Sequence, residues 1–143
     1  MTDNSMVINP DDETIDEILS QLSFNDKGLV AAIAQQTETG DVLMMAWMNA
    51  DAIRETLTTG QVCYFSRSRN ALWRKGEQSG QIQILHDFLW DCDGDTVLLK
   101  VDQTGVACHT GRKSCFFRAV RDGKVKIIAD VKVSPDELYK TKG

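Results

Sequence analysis

Short apolar runs, each closed off by turn-forming residues, most limit the folds open to this chain. Val42-Leu43-Met44-Met45-Ala46-Trp47-Met48 lies between Thr37-Glu38-Thr39-Gly40-Asp41 and Asn49. Such a run is far too short to span a bilayer but suits a mostly buried strand. Leu29 to Ala34 reaches the same turn from the other side, so the two runs predict a hairpin. Gln61 to Ser66, Asn70 to Lys75, Gln81 to Trp90 and Thr96 to Val101 are further strand candidates, with Gly76-Glu77-Gln78-Ser79-Gly80 as a loop among them. Phe116 to Val120 and Val125 to Val131 predict a hairpin around Arg121-Asp122-Gly123-Lys124.

Helices are fewer. Asp11-Asp12-Glu13-Thr14 puts acidic residues where a helix N-terminus favours them, and Ile15, Ile18, Leu19 and Leu22 recur on one face. Asn49 can cap a helix from Ala50 to about Leu57, which Gly60 would end. Ser134 to Lys140 allows a last turn or two. The expectation is a strand-rich α+β fold: a compact, mostly antiparallel sheet with two or three short helices. At 143 residues the chain suits a single domain over 1–143. A net charge of −5 argues against nucleic-acid and membrane-surface partners. Met1 to Ser5 is polar and lacks the apolar run of a signal peptide, which predicts a cytoplasmic protein. Four cysteines in such a compartment do not predict a disulfide framework, and Cys63 reads as a buried strand residue.

The densest chemistry lies between Asp91-Cys92-Asp93-Gly94-Asp95 and Cys108-His109-Thr110-Gly111 through Ser114-Cys115. On an extended backbone Asp91, Asp93 and Asp95 would share one face and Cys92 the other. Carboxylates suit a hard cation such as Mg²⁺, whereas thiolates suit Zn²⁺. Cys92, Cys108 and Cys115, with fifteen and six residues between them, lack the paired Cys-x-x-Cys spacing of a structural zinc ribbon. Three thiolates and an open position fit a catalytic zinc; ordinary buried cysteines or a redox pair fit the same spacing. The carboxylates fit either a divalent-ion site or a solvated acidic turn. Arg67, Arg69, Arg74 and Lys75 form a basic island in an acidic protein, suited to a phosphorylated small molecule or to a solvated hairpin.

Several linked stretches resemble the phosphoribosyl-AMP cyclohydrolase family of histidine biosynthesis. They are Tyr64-Phe65-Ser66-Arg67-Ser68-Arg69, Leu72-Trp73-Arg74-Lys75-Gly76-Glu77-Gln78-Ser79-Gly80, Asp91 through Thr96, and Ala107-Cys108-His109-Thr110-Gly111 through Phe117. The likeness runs from about Leu29 to Arg118. It implies hydrolytic opening of the adenine ring of 1-(5-phosphoribosyl)-AMP between N1 and C6 by zinc-activated water, the third step of that pathway. It also implies an intertwined homodimer, Zn²⁺ held by Cys92, Cys108 and Cys115 across the dimer, and Mg²⁺ held by Asp91, Asp93 and Asp95. The family often has histidine or asparagine where this chain has Gln81, and His86 stands in a segment that does not align. The pyrophosphohydrolase domain fused to some members is not expected here.

The residue types suit that reaction. Ribosylation at N1 leaves C6 electron-poor, and zinc nucleobase deaminases likewise direct water at a purine C6. His109 is the first candidate for proton transfer and Glu77 the second. Ser66, Arg67, Arg69, Arg74 and Lys75 offer donors to the two phosphates, and Trp73 offers a ring for the purine to stack on. Two other readings fit the same residues: a zinc-dependent purine deaminase, which would release ammonia, and a non-catalytic zinc-bridged dimerisation module.

Overall fold

The computed structural model describes residues 8–140; the polar Met1 to Ser5 segment lies outside the described residues. α1 (Asp12–Ser20) starts where Asp11 accepts the Thr14 backbone N–H at 2.8 Å, and that bond holds the Asp11 carboxyl below its ordinary pKa. β1 (Val30–Gln36) and β2 (Val42–Met48) form the predicted hairpin. α2 (Ala50–Thr59) is capped by Asn49, whose side chain accepts from Ala52, and stops at Gly60 with φ +80°. β3 (Cys63–Ser66) and β4 (Ala71–Arg74) form a small hairpin; β5 (Gln83–Trp90) and β6 (Thr96–Gln103) form a long one. β7 (Arg118–Arg121), β8 (Lys124–Ile127) and α3 (Pro135–Lys140) complete the element order.

The main sheet has four strands in the order β2-β1-β6-β5. β1 and β6 run parallel while the other pairings are antiparallel, so the sheet is mixed. Parallel neighbours require a long crossover, and here β2, α2, both strands of the small hairpin and β5 intervene.

Alternation sorts the two faces of this sheet. Val30, Ala32 and Ala34 of β1 and Val97, Leu99 and Val101 of β6 point inward and are buried with Ile15, Ile53, Leu57, Tyr64 and Phe88. Fully burying Ile53 or Leu57 of α2 contributes roughly 1.5–3 kcal/mol each. On the other face, register aligns Met45, Ile33, Leu98 and Leu89 in one apolar row across all four strands. Met45 is 42% and Leu89 38% exposed, so this face is not covered within the chain. Val120, Val125, Ile127 and Ile128, on and just after the β7–β8 hairpin, are exposed as well.

Candidate active site

Beyond β6 the chain forms a compact loop that carries two of the thiols. The Ala107 and Cys108 backbone N–H groups donate to Lys113 and Arg112 carbonyls at 3.0 and 3.1 Å, and Gly111 donates to the Cys108 carbonyl at 2.9 Å. The Thr110 hydroxyl lies 3.0 Å from Cys108 Sγ. Cys115 is fixed from the sheet side, donating its backbone N–H to the Leu43 carbonyl of β2 at 2.7 Å. Burial, then the neighbouring Cys108 thiol, pushes the Cys115 pKa up to about 12. The two sulfurs therefore face one another, as thiols that a cation would help to ionise.

They open onto a cleft of about 390 Å³ whose lining also includes His109, Glu77, Arg69, Trp73 and Lys75. Trp73 is half-buried and packs on Tyr64, with ring centroids 5.4 Å apart. Lys75 is only 7% exposed, and its pKa is lowered by burial against the opposing pull of Cys115 and Cys108. Among the described residues no carboxylate pairs with it and no buried side-chain nitrogen lacks a partner, so its ammonium opens to the cleft. His109 and Glu77 are exposed at the rim.

The rest of the basic island is directed elsewhere. Arg74 forms a two-pronged ion pair with Glu55 at 2.6 and 2.8 Å, although the sequence suggests a phosphate ligand. Arg67 lies over the Trp47 ring at 4.9 Å, beside a second hollow formed with Asn25, Lys27 and Phe65. Ser66 ends β3, its hydroxyl 3.4 Å from that of Ser68 and accepting from the Arg69 N–H at 3.3 Å. His86 stands at a register shift in β5 and is half-buried, away from the cleft.

Asp91 to Asp95 correct the extended reading: this stretch is the tight turn joining β5 to β6, not a strand. Gly94 decides it, with φ +76° and its carbonyl accepting the Ser23 N–H at 2.7 Å. The turn nonetheless gathers the three carboxylates, which offer ligand oxygens all within 4.8 Å of one another. Desolvation alone would raise Asp91, but hydrogen bonds from Asp95 and Thr96 hold it below the usual carboxylate range. Hydrogen bonding to Asp91, then Asp93, holds Asp95 above that range. Oxygen donors at this spacing suit a hard divalent cation.

Cys92 stands in the same turn, exposed and outside the cleft lining. Cys108 follows the other end of β6, a strand that spans roughly 25 Å. Among the described residues the three cysteines form no common cluster. Sequence reasoning overlooked Tyr64, Gln83 and Gln103, which lie buried behind the cleft. Their signal was a polar residue on the inward phase of otherwise apolar strands.

A cleft lined by thiols, an imidazole, a carboxylate, cations and an aromatic ring has the make-up of an enzyme site. The family profile described as phosphoribosyl-AMP cyclohydrolase matches residues 44–117. A protein of that name from Paramagnetospirillum magneticum is 68% identical over 86% of this chain and 93% of its own length. Namesakes from Rhodospirillum centenum and Granulibacter bethesdensis are 61% and 60% identical, covering 87% and 86% of this chain and 94% and 97% of their own. The chain belongs to the phosphoribosyl-AMP cyclohydrolase family and is an enzyme of that kind. No helix among the described residues is long and apolar enough to cross a membrane.

Proposed function

We propose that the chain opens the adenine ring of 1-(5-phosphoribosyl)-AMP between N1 and C6, the third step of histidine biosynthesis, in the cleft between Trp73 and Cys108. The observation that carries this reading is the convergence of Cys108, Cys115, His109, Glu77, Arg69 and Lys75 on that one cleft. Cys108 and Cys115, joined by a Cys92, are the residues that would hold Zn²⁺, which when bound would supply activated water. The purine stacks on Trp73, which Tyr64 holds from behind. Arg69 and Lys75 neutralise substrate phosphate, and burial around Lys75 strengthens its attraction for an anion. His109 accepts a proton as water adds at C6 and returns it to N1 as the ring bond breaks, with Glu77 on the same cleft as the second candidate for that transfer. No ammonia leaves.

Cys92 reaches such a site from a second copy of the chain. The three thiols form no common cluster among the described residues of one chain, and the uncovered row of Met45, Ile33, Leu98 and Leu89 supports a homodimer. Whichever cleft receives the partner's Cys92 also approaches the Asp91, Asp93 and Asp95 turn, which would carry Mg²⁺ to the substrate phosphates. The cytoplasm, where thiols stay reduced, fits a chain whose four cysteines are all free.

The test is ring opening of phosphoribosyl-AMP, followed by absorbance with protein supplied with Zn²⁺ and Mg²⁺. Turnover without ammonia is expected. Ammonia release would move the assignment to a deaminase, and no turnover with full metal occupancy would sink it.

A further inference from the structure

A chain of amides runs from the core behind the cleft to the cleft lining, where Gln81 stands half-buried. Tyr64, wholly buried, donates its hydroxyl to Gln83 Oε1 at 2.7 Å. Gln83, also wholly buried, donates from Nε2 to Gln103 Oε1 at 2.8 Å. Gln103 Nε2 then faces the carbonyls of Gln81 at 3.0 Å, Ile82 at 3.2 Å and Thr104 at 2.8 Å. Gln81 completes the connection, its Oε1 accepting the Val106 backbone N–H at 2.9 Å. Gly105 leaves room for this, since a Cβ there would lie 1.7 Å from Gln81 Oε1. One end of the chain is the ring that supports Trp73; the other is the segment from Thr104 to Val106 that leads into Cys108.

Side-chain amides buried in an apolar core cost stability unless every donor and acceptor is met. Three glutamines in one connected run amount to a rigid spacer, because each bond fixes the orientation of the next amide. Without them Thr104 to Val106 would be held to the sheet chiefly by the Thr104 N–H to Ile82 carbonyl bond of 2.9 Å.

We infer that Gln81, Gln83 and Gln103 are positioning residues: they set the distance between the Trp73 wall and the Cys108 and His109 wall of the cleft. The inference rests on the proposal that ring opening occurs there. It assigns a use to Gln81, whose side chain ties the amide chain to the Val106 backbone.

The experiment compares Gln103→Met and Gln81→Met with Thr56→Val in the full-length chain. Met keeps the length of Gln but can neither donate nor accept as the amide does. Thr56 is equally buried and bonds both polar backbone groups of Cys63, on the far side of the small hairpin. Thr56→Val should lower the melting temperature and leave kcat and the absorption spectrum of the Co²⁺-substituted protein as in the parent. The two Gln variants should lower kcat by about tenfold to a hundredfold, with altered Co²⁺–thiolate bands, at temperatures where circular dichroism reports a folded chain. If both Gln variants only lower the melting temperature, as Thr56→Val does, the amides are structural and the inference is overturned. Should Gln103→Met fail to fold, Gln81→Met decides, because its residue is only half-buried. Cys108→Ser separates the two levels: if it retains ring opening, the cleft proposal fails, whatever the Gln variants do.

Discussion

Arg69 and Arg74 show how little a residue's type reveals about its task. Both belong to the basic island, yet Arg69 lines the cleft while Glu55 takes both prongs of the Arg74 guanidinium. Truncating a charge-assisted hydrogen-bond donor to alanine costs roughly 1.5–3 kcal/mol, so Arg69→Ala should lower kcat/KM by about tenfold or more. Arg74→Ala should leave KM near that of the parent; a steady-state comparison of the two variants checks this. Glu55 lies on α2 and Arg74 on β4, so the pair is invisible until helix and hairpin pack. Cys63 is the opposite case, since its burial was legible from its apolar neighbours. Burial, and secondarily Glu55, pushes its thiol up to about 11. A pKa raised by folding contributes stability that is intact below about 9 and lost as pH climbs toward 11. Between those values Cys63→Ser should lose less melting temperature than the parent does.

At the scale of elements, strand and helix positions were legible wherever an apolar run met Gly, Asn or Asp. The first hairpin and α2 with its Asn49 and Gly60 ends lie where those boundaries put them, whereas the last hairpin is shorter than expected: Arg121 and Lys124 pair within it, it turns at Asp122-Gly123, and β8 stops at Ile127 rather than Val131. The acidic stretch was misread because alternation of acids looks like a strand. A positive φ at Gly94 and a hydrogen bond from Ser23, in the segment after α1, outweigh that pattern. A Cβ at Gly94 would also meet the Gln21 carbonyl at 2.6 Å. Gly94→Ala should therefore destabilise the protein by about 2 kcal/mol, read by urea unfolding, and weaken Mg²⁺ binding by spreading the three carboxylates. Which strands pair was less legible than where they lie. Nothing local in β1 or β6 announces that they run side by side in parallel.

For the whole molecule, the decisive feature is that β6 lies between Cys92 and Cys108 in the chain and the three thiols form no common cluster among the described residues. Mixing Cys92→Ser with Cys108→Ser protein tests the shared site. Neither variant alone should turn over, but random re-association should restore about a quarter of parental activity, because half the dimers then hold one intact site. No recovery after verified subunit exchange would place all ligands in one chain. Leu98→Asp, on the uncovered row, should shift the protein to monomer in sedimentation. The parallel pairing of β1 with β6 carries a further consequence, for the order in which the chain folds. β1 and β2 can zip at once, as can β5 and β6, but the two hairpins join only after the intervening chain has closed into a loop. The late step is thus the docking of two preformed halves, and the wait for it is when β1 and β6 expose unpaired edges to other chains.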